Sequence, residues 1–456
     1  VSVQGARAVA FDVLRAVSED EAYANLLLPH AIVRQRLDAK DAALATELTY
    51  GTLRRRGTYD AIIATAADRT IDRIDPAVLD ALRLGVHQLL STRVASHAAV
   101  NESVELARRH GGGKGAAGFA NAVLRRVSRD NPGQWMHRIA SGARSDDERI
   151  GLTTSHPVWI VRALRRALNA EGRADELEGL LEADNVAPRV AMIALPGLAE
   201  TPDDATAARF APTAFTTRGG DPEGLIRSSG GRVRVQDEGS QLAALALSRA
   251  LPVHEGERWL DLCAGPGGKT ALLAAEALAH GAHLDANEIS PARAGLVRQA
   301  VASVPLEVEV SEEDGRERAA RMPGEYDRIL VDAPCTGIGA LRRRPEARWR
   351  KTPADVPELT ALQQELVLAA FEALKPGGIV AYVTCSPHLA ETSGVLAEVK
   401  RALGDAAEEL DARAVVRGIA QDEIDLPDQA DGSLRAQLWP HRHGTDAMSI
   451  ALLRKR

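Results

Sequence analysis

Two cysteines in this chain stand where a thiol could act as a nucleophile. They are Cys335, in Asp332-Ala-Pro-Cys-Thr-Gly337, and Cys385, in Thr384-Cys-Ser-Pro387. Each follows an apolar run that reads as a strand. A thiolate attacks carbon readily even when only a few per cent of the thiol is ionised. The chain's third cysteine, Cys263, lies in Asp261-Leu-Cys-Ala-Gly-Pro-Gly-Gly-Lys-Thr270. An odd count without paired spacing excludes a disulfide framework and a four-cysteine zinc site, and no metal is expected. In the 261–270 turn, Gly265, Gly267 and Gly268 fit neither the dinucleotide fingerprint nor the P-loop. The turn is either purely structural or a place where backbone meets a ligand, with helix N–H groups beyond it free for a carboxylate or phosphate. Glu288 follows about 20 positions later, where an acid can accept both hydroxyls of a ribose. Asp314 and Asp332 add two more carboxylates.

The elements that must position these residues alternate. Strands are expected at 258–262, 283–287, 306–310, 327–332 and 379–384, with helices near 269–280, 291–302, 357–374 and 389–403. Such alternation predicts a parallel sheet covered on both faces, with ligands at the carboxyl ends of the strands. Glu288, Asp314, Asp332, Cys335 and Cys385 all follow strands at that edge.

The first 145 residues carry helical periodicity without strand alternation. Phe11, Leu14 and Val17 mark one helix, and Leu44, Leu48 and Leu53 another. Asp75-Pro76 opens a third as N-cap and first helical residue, followed by an apolar stripe from Val78 to Leu90. His97–Arg109 and Phe119–Val127 complete an all-α bundle. Its arginines at 54–56, 108–109 and 125–126 are either helix ends favoured by the dipole or a surface for RNA phosphates. Residues 146–240 hold strand-like runs at 189–195 and 231–236 around a loop-like stretch, 198–230. A small α+β unit is expected there, and His156 is assigned no chemistry.

A length of 456 residues suits about three domains. No apolar run approaches ~18 residues, so no membrane span is expected, and no signal peptide is read at the start. The net charge of −7 excludes a uniformly basic nucleic-acid binder. A local basic patch remains open at Arg342-Arg-Arg-Pro-Glu-Ala-Arg-Trp-Arg-Lys351. This run suits RNA phosphates and base stacking, or else a solvated loop.

Asp332-Ala-Pro-Cys335, Thr384-Cys-Ser386 and the Ala264-Gly-Pro-Gly-Gly-Lys269 turn resemble the RNA cytosine-C5 methyltransferases of the Sun (RsmB-like) type. Thr49-Tyr-Gly-Thr-Leu-Arg54, Gln88–Arg93 and Asn121–Arg125 resemble the NusB fold. The resemblance covers nearly the whole chain. It implies a NusB-like RNA-binding bundle over 1–145, a small α+β linker or RNA-binding unit over 146–240, and a Rossmann-like, S-adenosylmethionine-dependent domain over 241–456. Cys385 is then the nucleophile, Cys335 the thiol that assists adduct breakdown, and Asp332 the group at N3 of cytosine. Lys269 would hold Asp332 or the cofactor's carboxylate, or else be a solvated lysine at the helix start. The turn Cys263, Ala264, Gly265, Pro266, Gly267, Gly268 and Lys269 would hold the methionine part of the cofactor, Glu288 the ribose and Asp314 the adenine. Cys263 itself is expected to be structural. The expected partner is small-subunit ribosomal RNA, and the expected protein is a cytoplasmic monomer. The motifs leave transfer RNA open as substrate, and a non-catalytic RNA-binding or assembly factor is the competing class.

Three departures from the family pattern stand out. Ile193-Ala-Leu195 replaces Leu-Arg-Val-Asn. Pro387-His-Leu-Ala-Glu391-Thr392 replaces a run toward Pro-x-Glu-Asn. Ala447-Met448-Ser449 replaces Gly-Phe-Phe after His443-Gly-Thr-Asp446.

Overall fold

The computed structural model describes residues 5–20, 22–217 and 222–456. Its contacts part the chain into two units. Unit 1 comprises residues 1–162, 177–187 and 341–351, and unit 2 comprises 163–176, 188–340 and 352–456.

Unit 1 is helical. Helices Ala6–Glu19, Ala24–Arg34, Ala39–Arg54, Arg56–Ala67, Pro76–Ser91, Ser96–His110 and Lys114–Val127 enclose one core. Asp75 caps the helix it opens, accepting from the N–H groups of Ala77 and Val78. Helix Pro76–Ser91 is buried along most of its length because five neighbouring helices pack around it. Its buried Arg83 is neutralised by Asp60 and Asp80, at 2.6 and 2.8 Å. Among the described residues of this unit, five α-helices lie where the sequence reading placed none: Ala24–Arg34, Arg56–Ala67, Pro132–Ser141, Asp146–Thr154 and Leu177–Ala183.

The basic run 342–351 folds into this unit, which corrects its reading as an RNA-binding loop. Arg348 is fully buried. It donates to the carbonyls of Arg54 (2.5 Å), Asp184 (2.9 Å) and Ser155 (3.4 Å), and to Asn185 Oδ1 (2.9 Å). Arg342 is buried, and Arg350 stacks over Tyr23 at 4.4 Å. Trp349 lies so close to Gly57 that a Cβ there would stand 2.5 Å from its ring. Only Arg343 and Arg344 of the run are exposed. Deleting a buried guanidinium leaves its acceptors unpaired and opens a cavity, at a cost of roughly 3 kcal/mol or more. Arg348→Ala should therefore lower the melting midpoint of the helical unit by several degrees in circular dichroism. An unchanged midpoint would restore the surface-loop reading.

Unit 2 contains two sheets. The smaller joins β1 (Ala191–Ala194), β2 (Thr206–Ala207), β3 (Ala214–Thr216) and β4 (Val233–Val235) in the antiparallel order 2-3-1-4. The stretch read as a loop thus holds two short strands and helix Pro222–Ser228, while residues 218–221 lie outside the described residues.

The larger sheet joins β5 (Arg258–Asp261), β6 (His283–Asn287), β7 (Val308–Ser311), β8 (Tyr326–Asp332), β9 (Leu374–Thr384), β10 (Ala407–Leu410), β11 (Ala436–Gln437) and β12 (Ser449–Lys455). The order is 10-12-9-8-5-6-7, with β11 paired to β12. Strands β5 to β9 are parallel. Strand β12 runs antiparallel to β9, β10 and β11, so the sheet is mixed rather than wholly parallel. Helices Gly268–His280, Pro291–Val301, Val356–Ala373 and Ser393–Leu403 fall close to their expected positions. The chain leaves β5 in one direction and returns at β8 on its other side. That switch point opens the carboxyl edge for a ligand.

Among the described residues, no helix is long and apolar enough to cross a membrane.

Candidate active site

The register of the sheet brings together residues far apart in sequence. In the parallel pair β8–β9, Asp332 lies opposite Val383. The loops that follow therefore leave the sheet side by side. The Ala333 N–H donates to Val383 O and the Gly339 N–H to Cys385 O, both at 2.9 Å. Gly339 is required here. A Cβ would stand 2.3 Å from Ala447 O and 2.8 Å from Cys385 O, both backbone atoms that cannot move aside. The result places Cys335 Sγ 3.4 Å from Cys385 Sγ.

Two thiols in contact share a hydrogen, so one is the donor. The Cys385 thiol is shifted down, chiefly by its hydrogen bond with Cys335, against burial and the charge of Asp332, which the Lys269 cation partly offsets. Cys335 is shifted well up by that same hydrogen bond, by burial and by the charge of Glu391. Of the two thiols, Cys385 is therefore the more acidic. Cys263 is pushed well up by burial and the surrounding carboxylates, and remains a neutral thiol.

Lys269 Nζ lies 2.7 Å from Asp332 Oδ2. Of the partners left open for Lys269, the structure pairs it with Asp332. Burial works against the ammonium, but Asp332 outweighs it and its pKa rises. Asp332 keeps 31% of its side chain exposed.

Beneath this pair Asp261 is fully buried and accepts from Thr270 Oγ1 at 2.7 Å. Burial drives its carboxyl from 3.8 up to about 7, against the Thr270 hydrogen bond and with Asp332 adding to the rise. A carboxyl raised on folding contributes stability that is complete below about pH 4. That contribution is lost as pH climbs through 7. The wild type should thus lose on the order of 4 kcal/mol relative to Asp261→Asn between pH 4 and 8. Chemical denaturation at the two pH values measures it, and parallel curves would contradict the shift.

The glycine turn sits beside β6. Glu288 is buried, with Oε2 accepting from the Gly265 N–H at 2.9 Å and Oε1 from the Ser290 N–H at 3.0 Å. Each oxygen retains a second lone pair. Gly267 takes φ +88°, and a Cβ there would meet Ala300 Cβ at 2.6 Å and Val297 Cα at 2.9 Å. Helix Gly268–His280 begins at Gly267 with no side-chain cap, so its first N–H groups have no side-chain acceptor at the cap. Beside Gly265 a Cβ would meet nothing within 4 Å, which is the open space that a close-lying ligand needs. Asp314 caps helix Gly315–Ala320 and is held below the usual carboxylate range by Arg316, which donates from Nε at 2.9 Å.

Two residues at the site carry roles that their place in the chain did not suggest. Asn287 braces the strand ends, donating to the carbonyls of Leu262 and Glu313 and accepting from Ser311 Oγ and the Glu313 N–H. Glu391, seen from sequence only as part of a departure from the family pattern, lies fully buried between the two cysteine loops.

The family described as 16S rRNA methyltransferase RsmB/F matches residues 248–454, and the NusB family matches residues 4–129. A protein of Mycobacterium tuberculosis, Rv1407, named no more closely than a methyltransferase, is 47% identical over 99% of this chain and 96% of its own length. The chain belongs to the RsmB/F family of RNA methyltransferases. The ribosomal RNA small subunit methyltransferase B of Pseudomonas putida is 32% identical over 86% of this chain and 87% of its own. The solved structure of PH0851 shares the fold along the whole chain, with TM-score 0.79 at 21% identity, covering 100% of this chain and 99% of that one. The cofactor of this RsmB/F methyltransferase is S-adenosylmethionine. The turn fits that group: it has open space at Gly265, uncapped helix N–H groups for a carboxylate, and a buried acid at the end of β6.

Proposed function

We propose that this enzyme methylates carbon 5 of a cytosine in small-subunit ribosomal RNA, with Cys385 as its nucleophile. The observation that carries the reading is the 3.4 Å contact between Cys335 and Cys385, beside the Lys269–Asp332 pair. Carbon 5 of cytosine is a weak nucleophile. Addition of the Cys385 thiolate to carbon 6 forms a C–S bond and moves the ring's electrons toward N3 and its exocyclic group. Asp332, oriented by Lys269 through Oδ2, hydrogen-bonds N3 and favours its protonated form. Carbon 5 is now enamine-like, and S-adenosylmethionine, when bound, supplies it with an electrophilic methyl group. A base then takes the proton from carbon 5, whose electron pair re-forms the C5–C6 double bond as the C–S bond breaks; Cys385 leaves as the thiolate and N3 gives up its proton. Cys335 assists that breakdown.

In this reading the turn from Cys263 through Ala264, Gly265, Pro266, Gly267 and Gly268 to Lys269 holds the methionine part. Glu288 takes the ribose hydroxyls, and Asp314 the adenine amino group. Residues 1–145 bind RNA, residues 146–240 act as a linker or as a further RNA-binding unit, residues 241–456 carry the chemistry, and the enzyme works as a cytoplasmic monomer. The P. putida relative's name supports the small-subunit target.

Bisulfite sequencing of total RNA, with and without the gene, tests substrate and position together. One protected cytosine should be lost from small-subunit ribosomal RNA. Loss from transfer RNA alone would reassign the substrate, and no change anywhere would remove the proposal.

A further inference from the structure

Glu391 is fully buried, yet it carries an acid into the apolar layer behind the two thiols. A lone carboxylate there would be costly unless it is fully hydrogen-bonded. It has four donors. Oε1 accepts from the Thr336 N–H at 2.7 Å and from Gln363 Nε2 at 3.2 Å. Oε2 accepts from Thr336 Oγ1 at 2.5 Å and from Ser386 Oγ at 2.7 Å. Thr336 directly follows Cys335, and Ser386 directly follows Cys385. Gln363 also donates to Pro334 O at 2.8 Å, on the other side of Cys335. Tyr382 fixes the acid's own backbone by donating to Glu391 O at 2.5 Å. One side chain thus ties together the residues that follow both thiols.

We propose that Glu391 is a positioning residue of the methyl-transfer site: its carboxylate locks the two cysteine loops in register, so that Cys335 stays against Cys385 and donates its hydrogen to it. This rests on the reading of Cys385 as the nucleophile. The Glu391 anion opposes charge on Cys335. At Cys385 the Lys269 cation works against Asp332, so the hydrogen bond between the thiols, held by the two loops, is what makes Cys385 the more acidic of the pair. Without the anion, the two thiols become more alike. Without the hydrogen bonds, the loops lose their common anchor and the Thr336 N–H is left buried without an acceptor. Glutamine in place of Glu391 is nearly isosteric but removes the charge, and it turns an NH2 group toward donors.

The test uses the full chain as wild type, Glu391→Gln and Ser386→Ala, with two readouts. The first is site-resolved alkylation by iodoacetamide between pH 6 and 9, read by mass spectrometry, which requires no RNA. The second is kcat and KM for methyl transfer. Wild type should alkylate faster at Cys385 than at Cys335. In Glu391→Gln that preference should narrow about tenfold, equivalent to one pKa unit, and kcat should fall tenfold or more with KM for the cofactor unchanged. Ser386→Ala, which removes one donor and keeps the charge, should lower kcat in the same way by a smaller factor. It also serves as the test if the glutamine variant does not fold. Unchanged alkylation preference and unchanged kcat in the folded variants would overturn the assignment. A Cys385→Ser enzyme that still turned over would instead overturn the nucleophile reading, while the alkylation data would continue to report on Glu391.

Discussion

Cys385→Ser should lower methyl transfer by on the order of 10⁴-fold or more while leaving cofactor binding intact. The loss follows from the atom exchanged. A serine hydroxyl is far less acidic than a thiol, and the surrounding site is arranged for sulfur. Cys335 Sγ lies 3.4 Å from this position, and its hydrogen bond there is the main influence that makes the Cys385 thiol more acidic, with the Lys269 ammonium offsetting part of the opposing charge of Asp332. Neither influence lowers an alcohol's pKa enough to give a useful alkoxide. The cofactor-side residues, Gly265 and Glu288, meet through their own hydrogen bond and are independent of residue 385. Calorimetry with S-adenosylmethionine should therefore give the wild-type affinity, while transfer of a labelled methyl to RNA should vanish. Residual turnover within tenfold of wild type would remove the covalent mechanism.

Cys335→Ser has a different expected outcome. The hydroxyl is small enough for the loop, and Thr336 retains its hydrogen bonds to Glu391, so both loops stay in place. Cys385 can still add to the ring and be methylated onward. What the variant lacks is the thiol that assists release. Turnover should fall by at least ~10²-fold, the usual weight of one proton-transfer group. The missing product should appear as protein covalently bound to RNA, seen as a band that survives denaturing electrophoresis. Loss of activity without that band would show that Cys335 acts before the adduct forms.

Much of the site was legible because its residues follow strands. The run Arg258–Leu262, the glycine turn and the helical stretch after it announce a βα unit, and the same alternation recurs through Thr384. Once those strands are parallel, Glu288, Asp332, Cys335 and Cys385 must share an edge. The antiparallel β12 was hidden because Ile450-Ala-Leu-Leu453 is a short continuous apolar run with no periodicity to reveal direction or partner. The basic run at 342–351 misled for a related reason. Charge in a sequence says nothing of burial, and the acceptors of Arg348 come from residues 54, 155, 184 and 185. Glu391 was obscure because its meaning depends on the turn Leu389–Glu391, which folds the acid back beneath both thiols. Nothing in Leu-Ala-Glu-Thr records that return.

The central claim is a bond between Cys385 sulfur and carbon 6 of a cytosine. RNA bearing 5-fluorocytosine at the target position tests it directly, since fluorine on carbon 5 leaves no proton to remove and stalls the enzyme before release. Proteolysis and mass spectrometry of the stalled species should find the nucleotide on the peptide containing Thr384-Cys-Ser386. A nucleotide attached at Cys335, or no attached nucleotide while ordinary RNA is methylated, would contradict it.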